Sequence, residues 1–214
     1  FDTCLMGGAE VLGDFNTLCD VFFACPELDY GDGWDYNATL NYLRANPGAE
    51  VTAFARAEVG FWNAHHGESM DQTHKVHAAY DMAKYDAFAQ RFKSFSEQLK
   101  LYVQAGGEVV PKLRAEATHY SVSKSSEAKS LTHFIDLGDF CWRVAHAPVN
   151  TTLKSASLFC VAAIDDMVLA KATGSLRTHV SALSIAYPHN TDDWVEHYAK
   201  KYDSISFTQG VGAD

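Results

Sequence analysis

The sequence has no apolar run approaching the roughly eighteen residues that a bilayer-spanning helix needs, so no transmembrane segment is expected in these 214 residues. It also lacks a basic excess: 17 Lys and Arg stand against 27 Asp and Glu, for a net charge of −10. The signs are interspersed rather than blocked, which excludes the concentrated positive footprint that nucleic acid requires and disfavours docking by charge on an anionic membrane. Signatures of catalysis are missing too. There is no Gly-x-Ser-x-Gly elbow, no glycine-rich phosphate loop after a strand, and no cysteine in a context that reads as a protease nucleophile. Alternating β-branched stretches are nearly absent, so little speaks for strands.

What is present is helical periodicity. The clearest stripe, Val76, Tyr80, Ala83, Phe88, Phe92, Phe95, Leu99 and Tyr102, predicts one helix over about 71–104, about 50 Å long. Further helices are expected at 49–65, 113–123, 127–147, 152–172, 176–186 and 192–205, separated by glycine, proline and asparagine punctuation. The fold class that follows is all-α: a disulfide-stabilised helical bundle forming a single domain over 1–214. Leu12-Gly13-Asp14-Phe15 recurs as Leu137-Gly138-Asp139-Phe140, so two pseudo-repeated halves, 1–110 and 111–214, are a further possibility.

Five cysteines and two glycosylation triplets, at Asn37 and Asn150, suggest a secreted, extracellular or lumenal glycoprotein. The chain opens on Phe1 rather than Met, as a cleaved leader would leave it. Folding the helices either side of Pro148 into a hairpin sets Cys141 and Cys160 at equal height, and a Cys141–Cys160 disulfide is expected. Cys4, Cys19 and Cys25 leave one thiol over, with the pairing open. The acidic stretch 26–36, PELDYGDGWDY, has carboxylates around a glycine turn but misses the calcium-loop pattern, and a solvated loop is the expectation.

Two ligand constellations stand out. His74 and His77, three apart on the expected long helix, form a candidate metal pair. Aromatics are 13% of the chain, and aromatics alternating with alanine on helix faces suit a bundle enclosing a flat apolar ligand.

Three stretches are similar to the helical repeat of the dinoflagellate peridinin–chlorophyll protein: Leu12-Gly13-Asp14, Ala64-His65-His66 with the following Lys84-Tyr85-Asp86-Ala87-Phe88, and Ala163-Ile164-Asp165-Asp166-Met167. The resemblance implies a pigment ligand supported by His65 or His66; Trp62, Phe88 and Phe92 are the candidate apolar walls that the aromatic helices offer beside them. The second half departs from it, because Ala182-Leu183-Ser184 stands where a second His-His is expected. The function expected is therefore a non-enzymatic exported binding protein that recognises a protein partner or carries a pigment or other apolar ligand. A histidine-based metal-binding protein is the alternative.

Overall fold

The computed structural model describes residues 1–29, 31–67, 73–120 and 133–211, with 209–211 by backbone alone. The fold is mixed α/β. Strand β1 (Val21–Ala24) pairs antiparallel with β2 (Val76–Asp81), and β2 pairs antiparallel with β4 (Val168–Thr173), in the order β1-β2-β4. A second sheet joins β3 (Phe134–Asp136) to β5 (Ser184–Ala186), also antiparallel.

The run from Leu5 to Gly8 connects the two sheets. Leu5 N–H donates to the Glu27 carbonyl and Gly7 N–H to that of Cys25, both at 3.1 Å, which extends the strand pairing beyond β1. On the other side Ser184 N–H donates to the Gly7 carbonyl at 2.9 Å, and Gly8 bridges Ser184 in parallel. The chain then turns into helix α1 (Ala9–Phe15), with Gly8 as its extended N-cap.

Helices cover both faces of the three-stranded sheet. On one side lie α2 (Tyr36–Ala45) and α3 (Val51–His65), with Ala55, Val59 and Trp62 of α3 packing against Cys25, Ala79 and Ala172. On the other, α4 (Tyr85–Gln104), α6 (Leu137–His146) and α7 (Thr151–Met167) build the main core with α1 and the short α5 (Val110–Glu116). The C-terminal α8 (Thr191–His197), α9 (Ala199–Tyr202) and α10 (Ser206–Val211) complete the chain.

The all-α expectation is overturned by β2 and its neighbours. Val76, Ala78 and Tyr80 enter the main core while Ala79 faces α3, so β2 is buried on both faces. Strands covered by helices on both sides carry no polar alternation. Val76 and Tyr80 also stand four apart, a spacing that a helix face and a strand face share. The expected helix thus breaks at Asp81, whose carboxylate accepts the Ala83 N–H at 3.0 Å and caps the 3₁₀ turn Met82–Lys84 ahead of α4. The expected 152–172 helix likewise ends at Met167, where β4 begins, and 176–186 holds β5 rather than a helix. Residues 71–72, 121–123 and 127–132 of the expected helices lie outside the described residues. The expected 49–65 helix forms nearly as read, as α3.

The disulfide is also corrected. Helices α6 and α7 pack together across Pro148, and Cys141 and Cys160 meet, fully buried, as free thiols. The hairpin register is right, but the two sulfurs are hydrogen-bonded core groups, and burial pushes the Cys141 thiol well above its ordinary range. Sharing of the first sheet between β1, β2 and β4 means that segments either side of residue 110 form one sheet. Among the described residues no helix is long and apolar enough to cross a membrane.

Candidate active site

The five thiols differ chiefly in access. Cys25, Cys141 and Cys160 are fully buried, whereas Cys4 and Cys19 are exposed. Burial pushes the Cys25 thiol well up, with Asp29 and Glu58 adding repulsion to its thiolate; burial and then Asp20 raise that of Cys19. Since the thiolate is the reactive form, these environments make poor nucleophiles.

Cys4 stands at the mouth of the strand connection. Its neighbour Leu5 has φ +61°, a left-handed conformation that costs a branched-chain residue about 1–2 kcal/mol and persists only where the surroundings impose it. The imposing contact is the Leu5 N–H to Glu27 carbonyl bond. The Asp29 N–H donates to Cys4 Sγ at 3.2 Å, and Sγ lies 3.6 Å from the Asp29 carbonyl.

Around this turn the acidic stretch 26–36 closes on Asp2. The Asp2 carboxylate accepts from the Tyr36 hydroxyl at 2.7 Å and from the Trp34 N–H at 3.4 Å, and that hydrogen bond raises the Tyr36 phenol. Gly33 makes the approach possible: its φ is +63°, and a Cβ there would lie 2.8 Å from Asp2 Oδ2. Asp35 leaves the cluster to cap α2 through Ala38 N–H at 2.8 Å. The result is an exposed thiol flanked by the exposed carboxylate of Asp2.

Beneath the turn lies a second polar group, sealed from solvent. Cys25 Sγ is 3.4 Å from His77 Nδ1, and His77 Nε2 is 3.0 and 3.3 Å from the two Glu58 oxygens. The Trp62 indole stacks on the His77 ring at 4.8 Å and Trp34 meets it edge-on at 5.3 Å. Cysteine, histidine and carboxylate are in the order a nucleophile needs, but nothing can reach them.

The expected site residues do not assemble into one pocket. His65 is exposed and His66 buried at the end of α3, where His66 Nε2 lies 2.9 Å from the Gly33 carbonyl and burial lowers its pKa. Trp62 packs with them, at 4.6 Å from the His66 ring. Phe88 and Phe92 stack at 6.1 Å on α4, on the opposite side of the sheet. His74 is exposed beside Thr73, while His77 faces Glu58 from β2, so the two do not share a helix face. Among the described residues no three His, Cys, Asp or Glu side chains are placed to hold a metal. Asn37 is exposed on α2, and the exposed Asn150 caps α7.

The family model of C11 peptidases, the clostripain family, matches residues 1–214. The chain belongs to the clostripain family. Solved structures agree in fold. A clostripain from Bacteroides thetaiotaomicron aligns with TM-score 0.65 at 14% identity, covering 99% of this chain and 85% of that one. A cysteine protease from B. fragilis gives 0.63 at 14%, again covering 99% and 85%. A secreted C11 cysteine protease from B. thetaiotaomicron gives 0.68 at 13%, covering 99% of this chain but 54% of its own. No curated protein matches.

Clostripain membership overturns the reading as a non-enzymatic binding protein, together with the pigment and histidine-metal alternatives and the likeness to the peridinin–chlorophyll protein. That likeness rested on short helical strings, and helices rich in alanine and aspartate share such strings across unrelated folds. Cys4, one of three cysteines whose pairing the sequence leaves open, is an exposed thiol next to the left-handed Leu5. The available signal was Gly7-Gly8 between a cysteine and an amphipathic helix, the composition of a tight strand-to-helix junction.

Proposed function

We propose that this chain carries the nucleophile of a cysteine peptidase, and that the nucleophile is Cys4. The observation that carries the reading is the exposed Cys4 thiol beside the left-handed Leu5, at the end of the connection between the sheets. In such an enzyme the thiolate adds to the scissile carbonyl, the resulting oxyanion collapses to a thioester with loss of the amine, and water hydrolyses the thioester. A base must take the thiol proton. Among the described residues Cys4 Sγ hydrogen-bonds only the Asp29 main chain. The relatives extend beyond the part this chain spans, and the base is to be sought in that additional length.

The carboxylate flank suggests the substrate. Asp2 stands two residues before Cys4, and Asp29 and Asp32 follow in the surrounding loop, so the chemistry favours a cationic side chain at the cleaved bond. The B. thetaiotaomicron clostripain was solved with the peptide inhibitor BTN-VLTK-AOMK, whose peptide ends in lysine. Peptide substrates replace the apolar ligand as the expected partner. An extracellular site of action is supported by the secreted relative.

The test is hydrolysis of peptide amides ending in lysine, arginine or glutamate by the full-length protein, with Cys4→Ala as comparison. The expected result is turnover of the cationic substrates, lost in Cys4→Ala, and labelling of Cys4 by iodoacetamide with Cys25 protected. Undiminished turnover in a folded Cys4→Ala protein refutes the assignment.

A further inference from the structure

We infer that Glu58, His77 and Cys25 form a buried positioning relay that holds the backbone on which Cys4 is presented. The inference rests on Cys4 being the nucleophile. The three side chains come from three elements: Glu58 from α3, His77 from β2, and Cys25 from the residue just after β1. All three are at most 1% exposed. Placing a carboxylate, an imidazole and a thiol in a helix–sheet interface costs desolvation that an apolar trio of the same volume avoids. What the polar trio supplies is direction. The imidazole has two nitrogens at a fixed angle, so with Nε2 against Glu58 and Nδ1 against Cys25 it sets the distance between α3 and the end of β1. The flanking Trp62 and Trp34 rings fix the tilt of the imidazole.

The relay meets the site through the main chain. Cys25 gives its side chain to His77 and its carbonyl to Gly7 N–H, and two residues on, the Glu27 carbonyl takes Leu5 N–H. These two bonds hold the left-handed Leu5, and Leu5 follows the nucleophile directly. The same α3 face reaches the other wall of the site, because Trp62 stacks on His77 while His66, one turn later, meets the carbonyl of Gly33, whose Cα approaches Asp2. A slack relay lets the Cys25–Glu27 backbone relax, and Leu5 then leaves its strained conformation and carries Sγ away from the substrate carbonyl. The relay touches no substrate and moves no proton in the reaction, so its effect falls on turnover rather than on affinity for a peptide anchored elsewhere.

The experiment compares Glu58→Gln, Glu58→Leu and Cys25→Ala in the full-length enzyme by kcat, KM, thermal unfolding and the rate of Cys4 alkylation by iodoacetamide. Glutamine keeps the hydrogen bond to His77, leucine removes it, and alanine at 25 removes the other end with little change of volume. Loss of an orienting partner one step from a reactive group costs about 10- to 100-fold. The expected result is a fall in kcat of that size for Glu58→Leu, a smaller one for Cys25→Ala and substantial rescue in Glu58→Gln. KM should change less than about threefold, and Cys4 alkylation should slow in parallel with kcat. Folded Glu58→Leu and Cys25→Ala proteins with wild-type kcat overturn the proposal, and so does a loss that tracks only the unfolded fraction. If Glu58→Leu does not fold, Cys25→Ala and Glu58→Gln decide alone. Activity that survives Cys4→Ala refutes the nucleophile assignment instead, a different outcome from wild-type kcat in the relay variants.

Discussion

Gly7→Ala tests whether the Leu5–Gly8 connection has room to move. A Cβ on Gly7 would sit 2.7 Å from Pro26 N, 2.7 Å from the Tyr80 hydroxyl and 2.8 Å from Pro26 Cδ, against ordinary contact beginning at 3.4 Å. The first and third of these belong to the chain segment that holds Leu5, and a proline ring has no alternative rotamer to offer. Tyr80 cannot swing away freely either, since its hydroxyl donates to the buried Ala182 carbonyl at 2.5 Å. The connection must therefore shift by about 0.7 Å, with an overpacking cost of about 1–3 kcal/mol. Weakening the Gly7 bonds to Cys25 and Ser184 adds about 1 kcal/mol each. Lower backbone entropy of the unfolded chain returns about 0.5–1 kcal/mol, leaving a net loss of about 2–4.5 kcal/mol. Because the shift is transmitted to Cys4, kcat should drop by about 100-fold even in the folded fraction. The neighbouring Gly8→Ala is the control: its Cβ meets the Glu10 and Ser184 side-chain ends at 3.2 and 3.3 Å and the Ser184 carbonyl at an ordinary 3.9 Å, with an ordinary φ of −99°. It should cost no more than about 1 kcal/mol. Urea unfolding and peptide turnover read both variants. A Gly7→Ala protein as stable and active as Gly8→Ala would refute the tight-junction reasoning.

Three further outcomes follow from other parts of the fold. Glu10, between α1 and the C-terminal helices, accepts from Ala186 N–H at 2.7 Å and from the Tyr202 hydroxyl, yet desolvation raises its pKa above the ordinary 4.5. A carboxyl raised on folding stabilises fully below its unfolded pKa, and that stability is lost as pH climbs through the folded value. Glu10→Gln should therefore flatten the fall in melting temperature as pH rises above the ordinary 4.5, leaving the part due to Asp136, which burial also raises; an unchanged slope counts against it. Asn150→Ala removes the cap in which Asn150 Oδ1 accepts Leu153 N–H at 2.9 Å, and should cost about 1 kcal/mol in chemical unfolding. Phe88→Ala, in the main core and fully buried, should cost about 3–5 kcal/mol while leaving kcat of the folded protein unchanged, as fits a core residue rather than a ligand wall.

How much of this was legible in the sequence varies with how local the determining physics is. Helix α3 was readable because its start at Asn46-Pro47-Gly48 and its stop at Gly67 are written in neighbouring residues. The α6–α7 hairpin was readable for the same reason, and it brings Cys141 and Cys160 together as their distances from Pro148 imply. Bond formation between them is a different matter, since two sulfurs in register remain thiols in this core. Strands β2 and β4 were unreadable because neither alternates buried apolar with exposed polar residues: Val76 to Tyr80 are buried on both faces with His77 among them, and β4 sets Lys171 and Thr173 among alanines, the mark of a sheet between two helical layers. Without those strands His74 and His77 sat on an imagined helix three residues apart, and Phe88 and Trp62 seemed to belong to one cavity when a sheet lies between them.

The site itself was illegible for a reason that periodicity cannot repair. Five cysteines and ten histidines offer many pairs, and residue type alone favours the wrong one. Cys25, with His77 and Glu58 52 and 19 residues along the chosen links, has the complete donor set of a nucleophilic triad. It is inert because Trp62, Trp34 and the α3–sheet interface exclude every substrate. Cys4 has no such donors among the described residues, but it has access and a backbone held in a conformation that a leucine does not adopt unaided. Access and strain are both set by pairing between residues far apart in the chain: Leu5 with Glu27, and Gly7 with Cys25 and Ser184. A search by residue type finds the buried trio, and only the packed fold shows that it lies one backbone hydrogen bond beneath the thiol that is open to a peptide.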